Sequence, residues 1–387
     1  MFRTFFSWEN PHSDSKRQEY STKKEHFQRA VKKLVGVFTS EKESTYYVPP
    51  CPENNQPFPR GLVANAYRNT KSRKHSLNPE ASSQPKGVKR SRQKHLPSIC
   101  YAPRNESEVL GATEFLAHSI SPWPEVKKAW DITAPSRLSS LFSEESASKS
   151  KKKNSKEQPL LLCTYMSAWP VLKHASGTEL ILQDFNHLYP GHELTLYSAW
   201  EQFCTSVLRC APKHVTDSYG RGLLTELKGD LRKGHRDVLI ACLLPSLVQP
   251  TARVPKPGQG VWKPSIAESR EAFVLHVKTV ADVDTALKVR EAKLLRLGVR
   301  SQPLLVIVGE LKDIRNFVVV IDNNRYSVTG FLQSVDTLFK SFFALSTDYP
   351  VEAKQIWMLI QKSIYKISSS CEEKIPTVET VLNEFHV

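Results

Sequence analysis

Apolar residues are densest between residues 303 and 367, where PLLVIVGEL, NFVVVIDNNRYSV, TGFLQSVDTLFKSFFAL and YPVEAKQIWMLIQKSIYKI follow one another with short punctuation. The first two are buried-strand patterns, short aliphatic runs bounded by turn formers. The last two carry apolar residues at three- and four-residue steps, the stripe of an amphipathic helix. Just upstream, EAFVLHVKT alternates at Phe273, Leu275 and Val277 as a strand does, and TVADVDTALKVREAKLLRLG reads as a helix that Gly298 can cap. Strand, crossover helix and strand predict one βαβ unit with a parallel pair. NFVVVID and RYSV can pair across Asn323 and Asn324, residues that tolerate the left-handed conformation of a tight turn. Helices from about Gly330 and Val351 then cover the sheet.

Upstream of this block the period is helical. HFQRAVKKLVGVF places Phe27, Val31, Leu34, Val35 and Phe38 on one face, and Thr45 to Val48 suggest a short extended segment before a proline-broken loop. SEVLGATEFLAHSI carries Val109, Leu110, Phe115 and Leu116 on one side. In SPWPEVKKAWDI, Trp123 and Trp130 flank a basic pair. GTELILQDFNHLYPG and TLYSAWEQFCTSVLRCAP are the clearest helices of the centre, stopped by Pro190 and Gly191 and by Pro212. Shorter ones are expected in DSYGRGLLTEL and RDVLIACLLPSLV, before the Pro-rich QPTARVPKPGQGVWKP.

These elements predict a mixed α/β protein. The expected divisions are a flexible arm (1–25), a short helical segment (26–75), a disordered basic linker (76–104), a helical segment (105–147), a Lys-rich linker (148–158), a helical subdomain (159–264), a C-terminal α/β domain (265–370) and a tail (371–387). With 387 residues, 40% of them hydrophobic, the chain has material for a sizeable core.

Charge divides the chain differently. The net charge is +15, and residues 1–156 hold 28 Lys and Arg against 15 Asp and Glu, whereas the rest holds 26 against 24. Between Arg60 and Arg104 eleven bases face one acid, Glu80. The densest part carries Arg68, Lys71, Arg73, Lys74, Lys86, Lys89, Arg90, Arg92 and Lys94. Clusters so spaced suit an importin-type acidic groove, as a bipartite nuclear-localisation signal, or a phosphate backbone. The plainer alternative is a solvated linker that keeps the chain soluble. The seven cysteines are scattered without a CxxC, which points to a reducing compartment, and no apolar run is long enough to span a membrane.

Candidate chemistry is sparse. Glu310 and Lys312 form a Glu-x-Lys pair at the end of a strand, the spacing by which some nucleases hold a metal and an amine beside a phosphate; Asp322 ends the next strand and would have to complete the set. A solvated strand end explains the same residues. His187 and His192 lack a third ligand at useful spacing, and no metal site or cofactor is expected.

STYYVPP followed by RGLVANAYRN, then WPVLKHASGTELILQDFNHLYP, and the block from PLLVIVGEL to YPVEAKQIWMLIQKSIYKI resemble a family of uncharacterised, often multicopy animal proteins. The resemblance covers most of residues 26–367. It implies a link to mobile elements and brings no functional residue with it. The expected function is therefore non-enzymatic binding in the nucleus, with nucleic acid or import factors on the basic segment and a protein partner or a second copy on the α/β domain. The alternatives are a nucleic-acid-processing enzyme or mobile-element remnant using Glu310, Lys312 and Asp322, and a purely structural interaction module. Outside the nucleus, the cytoplasm is the expected location.

Overall fold

The computed structural model describes residues 24–37, 40, 42–50, 59–63, 105–150, 161–256, 260–368 and 373–385. Residues 1–89 form one compact unit and residues 90–387 another.

In the first unit, α1 (Lys24–Val37) buries Phe27 and Val31 and leaves Arg29, Lys32 and Lys33 exposed, as its spacing predicts. The expected extended segment is instead a helical turn, α2 (Glu43–Tyr46), followed by extended Tyr47 and a bridge from Val48 to Arg60. Phe27 stacks on Tyr47 at 5.2 Å, and these two with Val31, Tyr46 and Val63 form a small core. Gly61 (φ 105°) lets the chain close on α2, because a Cβ there would stand 2.4 Å from the Tyr46 carbonyl oxygen.

The second unit is mixed α/β. It opens with α3 (Glu106–His118), α4 (Trp123–Ser150) and α5 (Leu161–Ala168), then a 3₁₀ turn (Pro170–Lys173) and α6 (Gly177–Leu188). Asn105 caps α3, accepting from the Ser107 N–H at 3.1 Å. Leu110, expected on the inner face of α3, is 69% exposed. There follow α7 (Thr195–His214), α8 (Ser218–Glu226) and α9 (Lys233–Leu247). α7 runs past Pro212 because the next turn keeps its ladder, Val215 N–H donating to the Ala211 carbonyl at 2.9 Å. α9 is buried continuously from Asp237 to Leu247, which is why it shows little periodicity: a helix enclosed on all sides needs no polar face.

A two-stranded ribbon, β1 (Val254–Pro255) and β2 (Val261–Trp262), leads to α10 (Ile266–Phe273). The expected strand at EAFVLHVKT is half helix. A capping box between Ser265 and Glu268 starts α10, which ends at Phe273, and only Val274–Val277 are extended, as β3. Then come α11 (Asp282–Leu297), β4 (Leu304–Glu310), β5 (Asp313–Ile321), β6 (Asn324–Val328), α12 (Phe331–Ala344), α13 (Lys354–Ile360), a π-helical turn (Gln361–Tyr365) and α14 (Pro376–Phe385). Gly298 (φ 66°) ends α11 as the sequence predicts.

The sheet has the order β3-β4-β5-β6, with β3 and β4 parallel and the other pairs antiparallel. Leu275, Val277, Leu304, Val306, Val308 and Val320 face Val283 of α11, while Leu305, Ile307, Val319, Ile321 and Tyr326 face the main core. β4 is therefore covered on both sides, and its uninterrupted apolar run follows from that. The β5–β6 turn falls on Asp322 and Asn323, one residue earlier than Asn323 and Asn324. Ile321 pairs with Asn324, and this register turns Tyr326 inward, where its hydroxyl donates to the Leu172 carbonyl at 2.5 Å.

The main core runs without a break from α3 to α14. Residues 159–264 and 265–370 thus differ in secondary structure but share one interior. The expected tail contains α14, which buries Val378 and Val381 and is held by Arg209 and Lys213 of α7 through the Glu384 carbonyl (2.8 Å) and carboxylate (2.7 Å).

Candidate functional site

The Glu-x-Lys set does not assemble. Glu310 is the last residue of β4, and Leu311 and Lys312 form the turn into β5. A bulge at Val308 and Gly309, with Gly309 at φ 127°, directs this corner; a Cβ at Gly309 would lie 2.5 Å from the Asp313 carbonyl oxygen. Asp322 sits in the turn at the far end of β5, which at 3.3–3.4 Å per residue puts it about 25–30 Å away. The Glu310 side chain is 71% exposed and stands 3.9 Å from the Lys278 ammonium. Asp282 accepts from the Thr279 N–H and hydroxyl, and Asp284 pairs with Arg325, so neither turns towards Glu310. Among the described residues no three His, Cys, Asp or Glu side chains could hold a metal ion. His187 lies 2.7 Å from an Asp131 carboxylate oxygen, and His192 lies 3.4 Å from the Thr195 hydroxyl, so the two histidines have separate partners.

The basic residues Arg68, Lys71, Arg73, Lys74, Lys86, Lys89, Arg90, Arg92 and Lys94 all lie outside the described residues. No helix among the described residues is long and apolar enough to cross a membrane.

Two buried polar clusters, neither anticipated, stand inside the second unit. In the first, Arg137 of α4 lies face-on over Trp130 at 3.3 Å, with Trp169 beyond. Its five N–H groups are all used: Nε donates to the Thr133 hydroxyl (2.9 Å), Nη1 to Tyr165 (2.9 Å) and Asp184 (2.8 Å), and Nη2 to the Trp130 carbonyl (2.8 Å) and Asp184 (2.9 Å). Burial pushes the Tyr165 phenol up to about 12. In the second cluster Lys340 of α12 donates to Asp336 one turn earlier (2.8 Å) and to the Glu193 carbonyl (2.7 Å), while Tyr365 donates to the other Asp336 oxygen (2.6 Å). Tyr365 also stacks on Phe339 at 3.8 Å. Both clusters spend their hydrogen bonds on one another and on the backbone, so they fix helices in place rather than present donors to a ligand. The sequence signal for each was a lone charge in an apolar register: Arg137 and Asp184 amid helix cores, Asp336 and Lys340 on the inner face of FLQSVDTLFKSFFA.

Burial also suppresses the thiolates of Cys204 and Cys242. Cys204 is pushed up to about 12 and Cys242 to about 11. At pH 8, iodoacetamide is expected to label both at least about tenfold more slowly in the native protein than in urea, read by mass spectrometry. Native labelling as fast as in urea would mean these helices open readily.

No family profile, curated protein or solved structure matches the chain.

Proposed function

We propose that this is a non-enzymatic binding protein of the nucleus, whose segment between Arg68 and Lys94 contacts nucleic acid or import factors and whose C-terminal α/β part binds a protein partner or a second copy. The supporting observation is the uneven charge: nine bases and one acid in that segment, within a chain whose residues from 157 onward are nearly neutral. Each phosphate engaged by a Lys or Arg releases a counterion, so such a segment binds nucleic acid without regard to sequence and with steep dependence on salt. Glu310, Lys312 and Asp322 stand at opposite ends of β5 and give an enzymatic reading no support.

Deleting residues 68–94 is expected to abolish nuclear enrichment of a fluorescent fusion. It should also flatten the salt dependence of nucleic-acid binding, by about 0.9 in log K against log salt for each duplex phosphate that is no longer engaged. Unchanged localisation together with an unchanged slope would remove the proposal.

A further inference from the structure

The β1–β2 ribbon carries charge that folding does not explain. Between Asp237 and Glu268 there is no acidic residue, and the three bases of that stretch, Arg253, Lys256 and Lys263, all belong to the ribbon or its immediate ends. All three are exposed. None makes an ion pair with another described residue. The next carboxylate, Glu268, is already engaged by the Ser265 N–H at 2.7 Å and by Lys293 at 2.8 Å.

The register places these charges. Val254 pairs with Trp262 and Pro255 with Val261, and the Lys256 N–H donates to the Gly260 carbonyl at 3.1 Å. Continued by one residue, that register sets Arg253 opposite Lys263. Side chains alternate along a strand, so Arg253, Pro255, Val261 and Lys263 share one face and Val254 and Trp262 the other. Exposure agrees: the first four are exposed, Val261 at 54%, while Trp262 is buried at 8%. The ribbon thus buries Trp262 and, with its register extended by one residue, turns two like charges outward on the same face. Such a pair opposes folding, and an anion lying over both relieves it.

We propose that the outer face of this ribbon, with Lys256 at its end, is a second phosphate-contact surface for duplex nucleic acid. It rests on the reading of the protein as a nucleic-acid binder. Addition of a partner strand is disfavoured, because Pro255 has no N–H to offer and flanking lysines blunt the edge. A two-stranded ribbon does suit a duplex, whose major groove admits one and whose phosphates line both rims. Two exposed cations on one face and a third at the end of the ribbon give backbone contact without base selection.

The test titrates full-length protein with a labelled random duplex of about 20 base pairs by fluorescence anisotropy, between about 50 and 200 mM NaCl. The parent is compared with Arg253→Gln/Lys256→Gln/Lys263→Gln, with the 68–94 deletion and with their combination. The triple variant is expected to keep its thermal midpoint and to show a log–log slope shallower by about 2 to 3, at about 0.9 for each phosphate. A triple variant with the parental slope overturns the inference and leaves the basic segment as the binding element. A shallower slope in the triple variant with none in the deletion keeps the ribbon and overturns the role of residues 68–94. A parent that binds no duplex at the lowest salt overturns the ribbon as a phosphate surface and leaves import factors as the partner of residues 68–94.

Discussion

Arg137→Ala is expected to lower the unfolding free energy by about 3–5 kcal/mol, because it strands the Asp184 carboxylate in the interior without its guanidinium. Asp184 is 1% exposed, and both of its oxygens accept from that guanidinium. Burial already raises the Asp184 pKa, against the pull of Arg137. The same substitution removes donors from Tyr165 and from the Trp130 carbonyl, and opens a gap over the Trp130 ring. The double variant Arg137→Met/Asp184→Leu should lie much closer to wild type, since replacing a buried ion pair by apolar side chains of similar volume is often neutral. Urea unfolding followed by tryptophan fluorescence gives both values. Equal loss in the single and double variants would mean that packing over Trp130, not the uncompensated charge, sets the cost.

This cluster also marks the limit of what the sequence could say. The βαβ unit, the capped α11 and the covering helix α12 were legible because each is specified locally, by a period of 2 or 3.6 and by a turn residue with one conformational job, such as Gly298. The helix before β3 was hidden by its context. Ser265 and Glu268 spell a capping box, but Phe273, Leu275 and Val277 alternate beyond it, and the alternation read as strand from its beginning. α9 was visible as a helix but not as the enclosed one, since its apolar residues face every direction. The Glu-x-Lys reading failed on geometry that sequence does not carry. Residues 310 and 322 are close along the chain, yet an antiparallel strand between them places them a strand length apart. Arg137 and Asp184 lie 47 positions apart on different helices, and only the packing of α4 on α6 brings them together. The charge pattern was legible throughout, but its placement was not: of the three bases among thirty residues without an acid, only the β1–β2 register assigns Arg253 and Lys263 to the exposed face.

Lys340→Met is expected to make stability fall more steeply with rising pH than it does in the parent. The side chain keeps nearly the same volume, so the packing against Phe185, which the ammonium faces at 5.4 Å, is largely retained, and the main change is electrostatic. Asp336 is 6% exposed and its pKa is raised by burial, opposed by Lys340 and by the Tyr365 hydroxyl. Without the ammonium the carboxyl rises further. The folded state then holds a proton where the unfolded chain, with an aspartate near its ordinary value of about 3.9, has released it. Stability therefore falls as pH rises from that value through the folded pKa, by about 1.4 kcal/mol for each unit separating the two, and is level above. Urea midpoints should drop between pH 5 and pH 8 in Lys340→Met by more than in the parent. Lys340→Met/Asp336→Asn should show no added drop, because an amide can still accept from Tyr365 and has nothing to ionise. A loss in Lys340→Met that is the same at both pH values would place the function of Lys340 in its bond to the Glu193 carbonyl, which ties α12 to the turn before α7. The two outcomes separate a lysine that neutralises a buried acid from one that fastens a loop.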